Sequence, residues 1–320
     1  MKTKNIQKVF LLALSVFIFA SCKKEAENIF TMFDDVTVTY NNSDPRCVTD
    51  YKLVNDKDEV WIDFTINSAK EDMYSYVVET SAGTAQPSRI TYPITDDTKR
   101  RSFSEIIKLT MNRDGKSSYR VYALNQKGIY IGDGYKKVTI EVNPSYIIYS
   151  GREISLPDTV AKNQKSFFSL SDGTTYSYNN GAANAAKIDF GIFRTLYKDN
   201  QNNTLYAINL YNTNKSASTF PVYDVSTWTK RLTKFSAPVS SQNTVFVNNA
   251  ISGSTIETLA RARTINLDAT TATTVAAGLN VNSAVFFLTP EGKYGMMLVT
   301  RVTADVGGTP FILVNVKMQR

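Results

Sequence analysis

Tyr119-Arg120-Val121-Tyr122-Ala123-Leu124-Asn125-Gln126-Lys127-Gly128 is the stretch whose reading decides the fold. Side chains on a strand alternate between its two faces, so Tyr119, Val121 and Ala123 share one face while Arg120 and Tyr122 take the other. Asn125 and Gly128 tolerate the backbone conformations of a tight turn, which ends the strand there. Lys136 to Val142 can then return as the last strand of the same sheet.

Working outward, the same period recurs. Val60, Ile62, Phe64 and Ile66 alternate with Trp61, Asp63 and Thr65, marking a strand with one buried face. Strands are also expected from Val36, over Met73 to Thr80 and over Phe103 to Met111. Turn-forming loops such as 68–72 and 112–116 separate them. Several short strands at this spacing predict a β-sandwich. Pro144 has no amide to donate and restricts its neighbour, so Asn143-Pro144-Ser145 closes this unit.

A second unit is expected from about Ile148. Its strands are read over Ser166 to Leu170, Lys187 to Phe193, Leu205 to Asn209, Thr244 to Val247, Ser283 to Thr289, Lys293 to Val302 and Phe311 to Met318. The last three read as an antiparallel meander, because Pro290-Glu291-Gly292 and 305–309 carry strong turn signals. Thr255 to Ala262 is the one helical expectation, and 171–186 is read as an exposed polar loop. The expected class is therefore all-β: an N-terminal immunoglobulin-like sandwich over 34–144 and a larger antiparallel β domain over 148–320.

The N-terminus carries an address. Lys2, Lys4 and Lys8 precede the apolar run Val9 to Phe19, which is followed by Ala20-Ser21-Cys22. That is the layout of a secretory signal, and the run is too short to span a bilayer as a helix. Residues 1–21 are expected to be removed. Residues 22–33 would then form a tether, with 23–28 short, charged and polar.

Composition excludes several activities. The chain has 320 residues, 36 Lys and Arg against 29 Asp and Glu, two cysteines and no histidine. Loss of Lys2, Lys4 and Lys8 lowers the formal charge from +7 to +4. Arg194, Lys215, Lys230, Arg231, Arg261 and Arg263 are scattered over the second half without a tract that would follow a phosphate backbone, so nucleic acid is not expected as a partner. Without histidine, Ser-His-Asp and Cys-His nucleophiles and the commonest catalytic zinc ligand are excluded. No phosphate cradle follows Gly307-Gly308, and the acidic clusters lack the spacing of a calcium loop. No cofactor and no metal are expected.

Three resemblances extend this reading. Tyr119 to Gly128 resembles the penultimate strand and turn of fibronectin type III and related immunoglobulin-like modules. Phe19-Ala20-Ser21-Cys22 resembles the bacterial lipobox, which implies that Cys22 is lipidated and becomes the mature N-terminus; an ordinary signal peptide with a nearby cysteine is the alternative. If Cys22 carries lipid, Cys47 is a lone, buried thiol. Leu170 to Ser177, Ile188-Asp189-Phe190-Gly191, Trp228-Thr229-Lys230-Arg231 and Gly292-Lys293-Tyr294-Gly295 together resemble a region of Bacteroidetes-type cell-surface lipoproteins. That resemblance implies an outer-membrane location and, through association with polysaccharide uptake, a glycan ligand. Lys23-Lys24-Glu25-Ala26-Glu27 matches the acidic surface-export motif of such proteins only in part, and Asp158-Thr159-Val160 resembles their short O-glycosylation motif.

The residues themselves offer aromatic candidates for ligand contact: Trp228, with Tyr223, Tyr211 and Tyr206 near it in sequence, and Trp61, which points away from the core face of its strand. Packing in a core is the competing reading for both tryptophans. Carboxylate pairs at Asp34-Asp35, Asp56 with Asp58 and Glu59, and Asp96-Asp97 read as solvated turns, and no catalytic residue is assigned. The leading expectation is a non-enzymatic, lipid-anchored envelope protein that binds a glycan or an envelope protein. A structural or fimbria-associated assembly lipoprotein is the second, and a carboxylate-dependent glycan hydrolase the third.

Overall fold

A computed structural model describes residues 35–133, 135–215 and 223–320. The expected signal segment 1–21 and the expected tether 22–33, with Cys22, lie outside the described residues.

The protein is all-β, with an immunoglobulin-like sandwich followed by a larger antiparallel β domain. The strands of the first unit are β1 (Val36–Tyr40), β2 (Tyr51–Val54), β3 (Glu59–Ser68), β4 (Ser75–Ala82), β5 (Ser88–Pro93), β6 (Ser102–Thr110), β7 (Gly115–Leu124), β8 (Tyr130–Gly132) and β9 (Val138–Val142). One sheet has the order β1-β3-β6 and the other β2-β9-β7-β4-β5, with β8 paired to β7. Val60, Ile62, Phe64 and Ile66 are fully buried between the sheets against Tyr119, Val121 and Ala123. The alternation read from the sequence on both strands is thus the inner face of the sandwich.

The second unit comprises β10 (Tyr146–Ser155), β11 (Phe167–Phe168), β12 (Thr175–Tyr176), β13 (Phe190–Lys198), β14 (Thr204–Asn212), β15 (Lys234–Phe235), β16 (Ala284–Leu288), β17 (Tyr294–Ala304) and β18 (Pro310–Gln319). Sheets β12-β11-β13-β14 and β10-β18-β17-β16-β15 face each other across a core that includes Phe190, Phe235, Phe287 and Val314. Both outer faces are also covered. An aromatic cluster around Phe167 and Trp228 lies on the first sheet, and the helix Gly253–Arg261 lies on the second. The meander expected from the turn signals is β16-β17-β18.

Several expectations need correction. Val245–Asn249 forms a π-helical turn where a strand over Thr244 to Val247 was expected. Only Phe246 of this turn is buried, and its carbonyl and that of Ala250 accept hydrogen bonds from Lys317 Nζ at 2.7 Å each. Apolar β-branched composition there serves packing on a sheet face instead of pairing within one. Residues 171–186 are not a free loop: they hold β12, the one-turn helix Tyr178–Gly181 and a 3₁₀ turn, Ala182–Lys187, with Tyr176 and Ala185 buried.

The two units meet at the start of the helix Gly253–Arg261. Ser145 donates its amide and hydroxyl to Asp114, at 2.6 Å each, and its hydroxyl accepts the Gly253 amide at 2.7 Å. A Cβ on Gly253 would meet the Ser145 carbonyl oxygen at 2.8 Å, so glycine permits this approach.

Candidate functional site

Leu170 to Ser177, Ile188 to Gly191 and Trp228 to Arg231 meet at Asp189, and Lys293 of the fourth segment, Gly292 to Gly295, lines the cavity beside Arg231. Asp189 stands just before β13, two positions after the 3₁₀ turn Ala182–Lys187. Its side chain is fully buried. Its Oδ2 accepts the Leu170 amide at 2.7 Å, and its Oδ1 accepts Thr233 Oγ1 at 2.7 Å and Arg231 Nε at 2.8 Å. Arg231 then reaches outward, donating Nη2 to Glu291 at 2.9 Å.

Burial dominates at Asp189 and pushes its carboxyl above the ordinary range, against the pull of Thr233, Arg231 and the Leu170 amide. Burial also opposes the charge on Arg231, but the hydrogen bonds and charges of Asp189 and Glu291 outweigh it and raise the guanidinium further. Glu291 is pulled below its usual value: burial works upward, and the Thr289 hydroxyl, its own amide and Arg231 together work downward. A desolvated pair of this kind fixes geometry more than it adds stability. Its effect is to hold Arg231 in one orientation.

A cavity of about 240 Å³ opens above this ion pair. Ile147, Leu170 and Met318 give it an apolar floor, and Ser171, Arg231, Thr289, Glu291 and Lys293 bring polar groups to it. The turn Thr289 to Lys293 is held by Gly292 N to Thr289 O at 2.9 Å and Thr289 N to Lys293 O at 3.0 Å. Gly292 adopts φ +78°, which sets Glu291 and Lys293 on the rim. Among the described residues the Lys293 ammonium has no ion-pair partner. The cavity therefore offers donors from arginine, lysine and two hydroxyls, acceptors from a carboxylate and the same hydroxyls, and an apolar surface beneath.

The aromatic candidates are placed differently. Trp228, Tyr223 and Tyr211 are 6%, 4% and 3% exposed and pack with Phe167 and Tyr178 on the outer face of the β13–β14 sheet. Trp228 lies 4.9 Å from Phe167 and stacks on Tyr178 at 5.4 Å, ring centroid to centroid. Tyr223 donates to the Asp158 carbonyl at 2.6 Å, and burial pushes the Tyr211 and Tyr223 phenols up. Their flat faces cover one another, which corrects the expectation of a stacking platform for a ligand. Tyr206 lies apart from them, beside the interlayer core.

Trp61 does sit on the outward face of β3, but its ring is flanked by Arg46 at 3.7 Å and Lys108 at 4.4 Å. Its indole N–H donates to Glu59 at 2.6 Å. The acidic clusters are engaged as well. Asp35 pairs with Lys70, Asp58 accepts the Asn55 amide, and Asp96 caps the turn Asp97–Lys99. Asp34 lies outside the described residues. Among the described residues no group of three or more candidate ligands could hold a metal ion.

Asp189 and Arg231 are the residues that sequence reasoning left unassigned. Their segments were visible as short motifs, but a separation of 42 positions hid the contact.

No family model and no curated protein sequence matches the chain. Among solved structures, the apo form of the Calx CBD1 domain is similar over 34% of this chain and 96% of that one, at 12% identity and a TM-score of 0.21.

Proposed function

We propose that the chain is a non-catalytic binding protein of the cell envelope, tethered by lipid on Cys22, that takes a neutral, polyhydroxylated ligand of the glycan class at the Arg231–Lys293 cavity. The observation that carries this reading is the pairing of interleaved donors and acceptors with an apolar floor. A sugar residue presents hydroxyls that both donate and accept around a C–H face, which is the chemistry this cavity complements. Asp189 and Glu291 both bind one guanidinium and do not face each other across a cleft, so they lack the arrangement of a hydrolase pair. The secretory layout of residues 1–22 and the lipobox resemblance support the envelope location.

A glycan array on the Cys22→Ser chain tests it, with Lys293→Ala as the comparison. Binding that Lys293→Ala weakens at least fivefold, at unchanged thermal stability, is the expected result. Silence of the unsubstituted site on every glycan removes the reading.

One observation favours the assembly alternative. Among the described residues β6 pairs only with β3, so its other edge is open, and Ile106 on this strand is 40% exposed. An open edge accepts an added strand. Concentration-dependent self-association or capture of a strand peptide, lost in Ile106→Lys, would support it.

A further inference from the structure

At the opposite end of the second unit, the space between its two sheets opens to solvent as a cleft of about 510 Å³. Its deep wall is core: Ile208 and Leu279 are 3% and 2% exposed. Its rim is apolar too, with Leu205, Val275 and Val281 at 37%, 45% and 50% exposure. The cleft thus continues the interlayer core outward along a mostly apolar lining, in which Thr204 and Asn280 are the polar exceptions. An exposed apolar concavity of this size marks a binding site more often than a fold requirement.

We propose that this cleft binds the alkyl chain of a monomeric carboxylate amphiphile of the fatty-acid class. Two features select that occupant. Along the inner part of β14 the outward backbone groups are already taken: the Leu279 amide donates to the Ile208 carbonyl at 2.8 Å, and Thr270 donates to Leu210 at 2.9 Å. An added peptide strand would therefore find ladder positions only at the end of β14 and leave its own backbone unpaired, whereas an alkyl chain has no such groups to satisfy. The second feature is charge. Arg194 stands opposite Ile208 in the β13–β14 register, so it shares the face that looks into the cleft. Its guanidinium lies 5.8 Å from the centroid of Tyr206, a lining residue, and among the described residues it has no ion-pair partner. A carboxylate head at the mouth meets that cation while the chain enters between the sheets.

Calorimetric titration of the Cys22→Ser chain, which carries no acyl group of its own, tests the assignment. The titrants are hexanoate, octanoate, decanoate and dodecanoate below their micelle concentrations, with decanol as the uncharged control. One-to-one binding is expected, tightening by roughly fourfold per added methylene until the cleft is filled. Arg194→Gln should weaken carboxylate binding about tenfold and leave decanol unchanged. Val281→Asp, at a half-exposed position that the fold tolerates, should abolish binding of both at unchanged thermal stability. Absence of heat with dodecanoate, binding that survives Val281→Asp, or indifference of the carboxylate to Arg194→Gln overturns the proposal. So does binding confined to anionic phospholipid vesicles, which would assign the surface to a membrane.

Discussion

Asp56 and Ser254, 198 positions apart, meet where the two units touch: the carboxylate accepts the Ser254 amide at 2.6 Å and its hydroxyl at 2.7 Å. Ser254 lies in the first turn of the helix Gly253–Arg261, whose amides have no partner within the helix. The Ser252 hydroxyl takes the Thr255 amide, and a carboxylate from the first unit takes the Ser254 amide. The contact between the units thus also supplies an acceptor to the first turn of this helix. Lys57 adds an ion pair to Glu257 at 3.2 Å.

Asp56→Ala is therefore expected to cost about 1 kcal/mol, the usual range for losing a helix-terminal acceptor. The loss should appear in calorimetry as separation of one unfolding transition into two, since the contact couples the units. Lys57→Ala, at an exposed ion pair, should change little.

Arg231→Met leaves Asp189 buried without its cation and is expected to cost about 3–5 kcal/mol. Asp189→Asn combined with Arg231→Met should cost clearly less than the sum of the two single changes, because the desolvated charge is gone. A urea-unfolding double-mutant cycle measures this, and additive losses would mean that the pair is not coupled.

Lys317 gives a pH dependence. Its ammonium is buried among Phe246, Tyr146 and the carbonyls of Phe246 and Ala250, and burial lowers its pKa from the ordinary 10.5. Between the folded value and 10.5 the unfolded chain holds the proton that the folded chain has released. Stability should rise with pH across that alkaline window. Subtracting the profile of Lys317→Met isolates the effect from other lysines and tyrosines; a flat or falling difference would contradict the assignment.

Gly181 lies against the edge of the Trp228 indole, and a Cβ there would clash with the ring carbon Cη2. Gly181→Ala should displace the tryptophan from the aromatic cluster and cost about 1–3 kcal/mol as overpacking. A red shift of tryptophan emission and loss of near-ultraviolet dichroism would report it, with Trp61 as the constant background.

Legibility followed burial. β3 and β7 could be read because each has one face in the core and one outside, so apolar residues recur every second position. β5, by contrast, was not read: it stands at a sheet edge with all six residues exposed, and no period survives. β10 was missed for a related reason, since most of its length borders solvent and its apolar residues do not alternate. Trp228 and Trp61 were both candidates for ligand contact, with packing in a core as the competing reading for each. One is buried under a sheet-covering cluster, and the other lies between two cations.

Local chemistry determined the all-β class, the meander at the C-terminus and the position of the helix. Each depends on a period or a turn confined to a few neighbours, and such patterns act over the distance that adjacent residues span. The tertiary structure alone decided that Asp189 anchors Arg231, that Asp56 completes a helix in the other unit, and that a cleft opens beyond Ile208. Those features join residues tens to hundreds of positions apart, and nothing in the local periodicity records which distant face a side chain will meet once the sheets close.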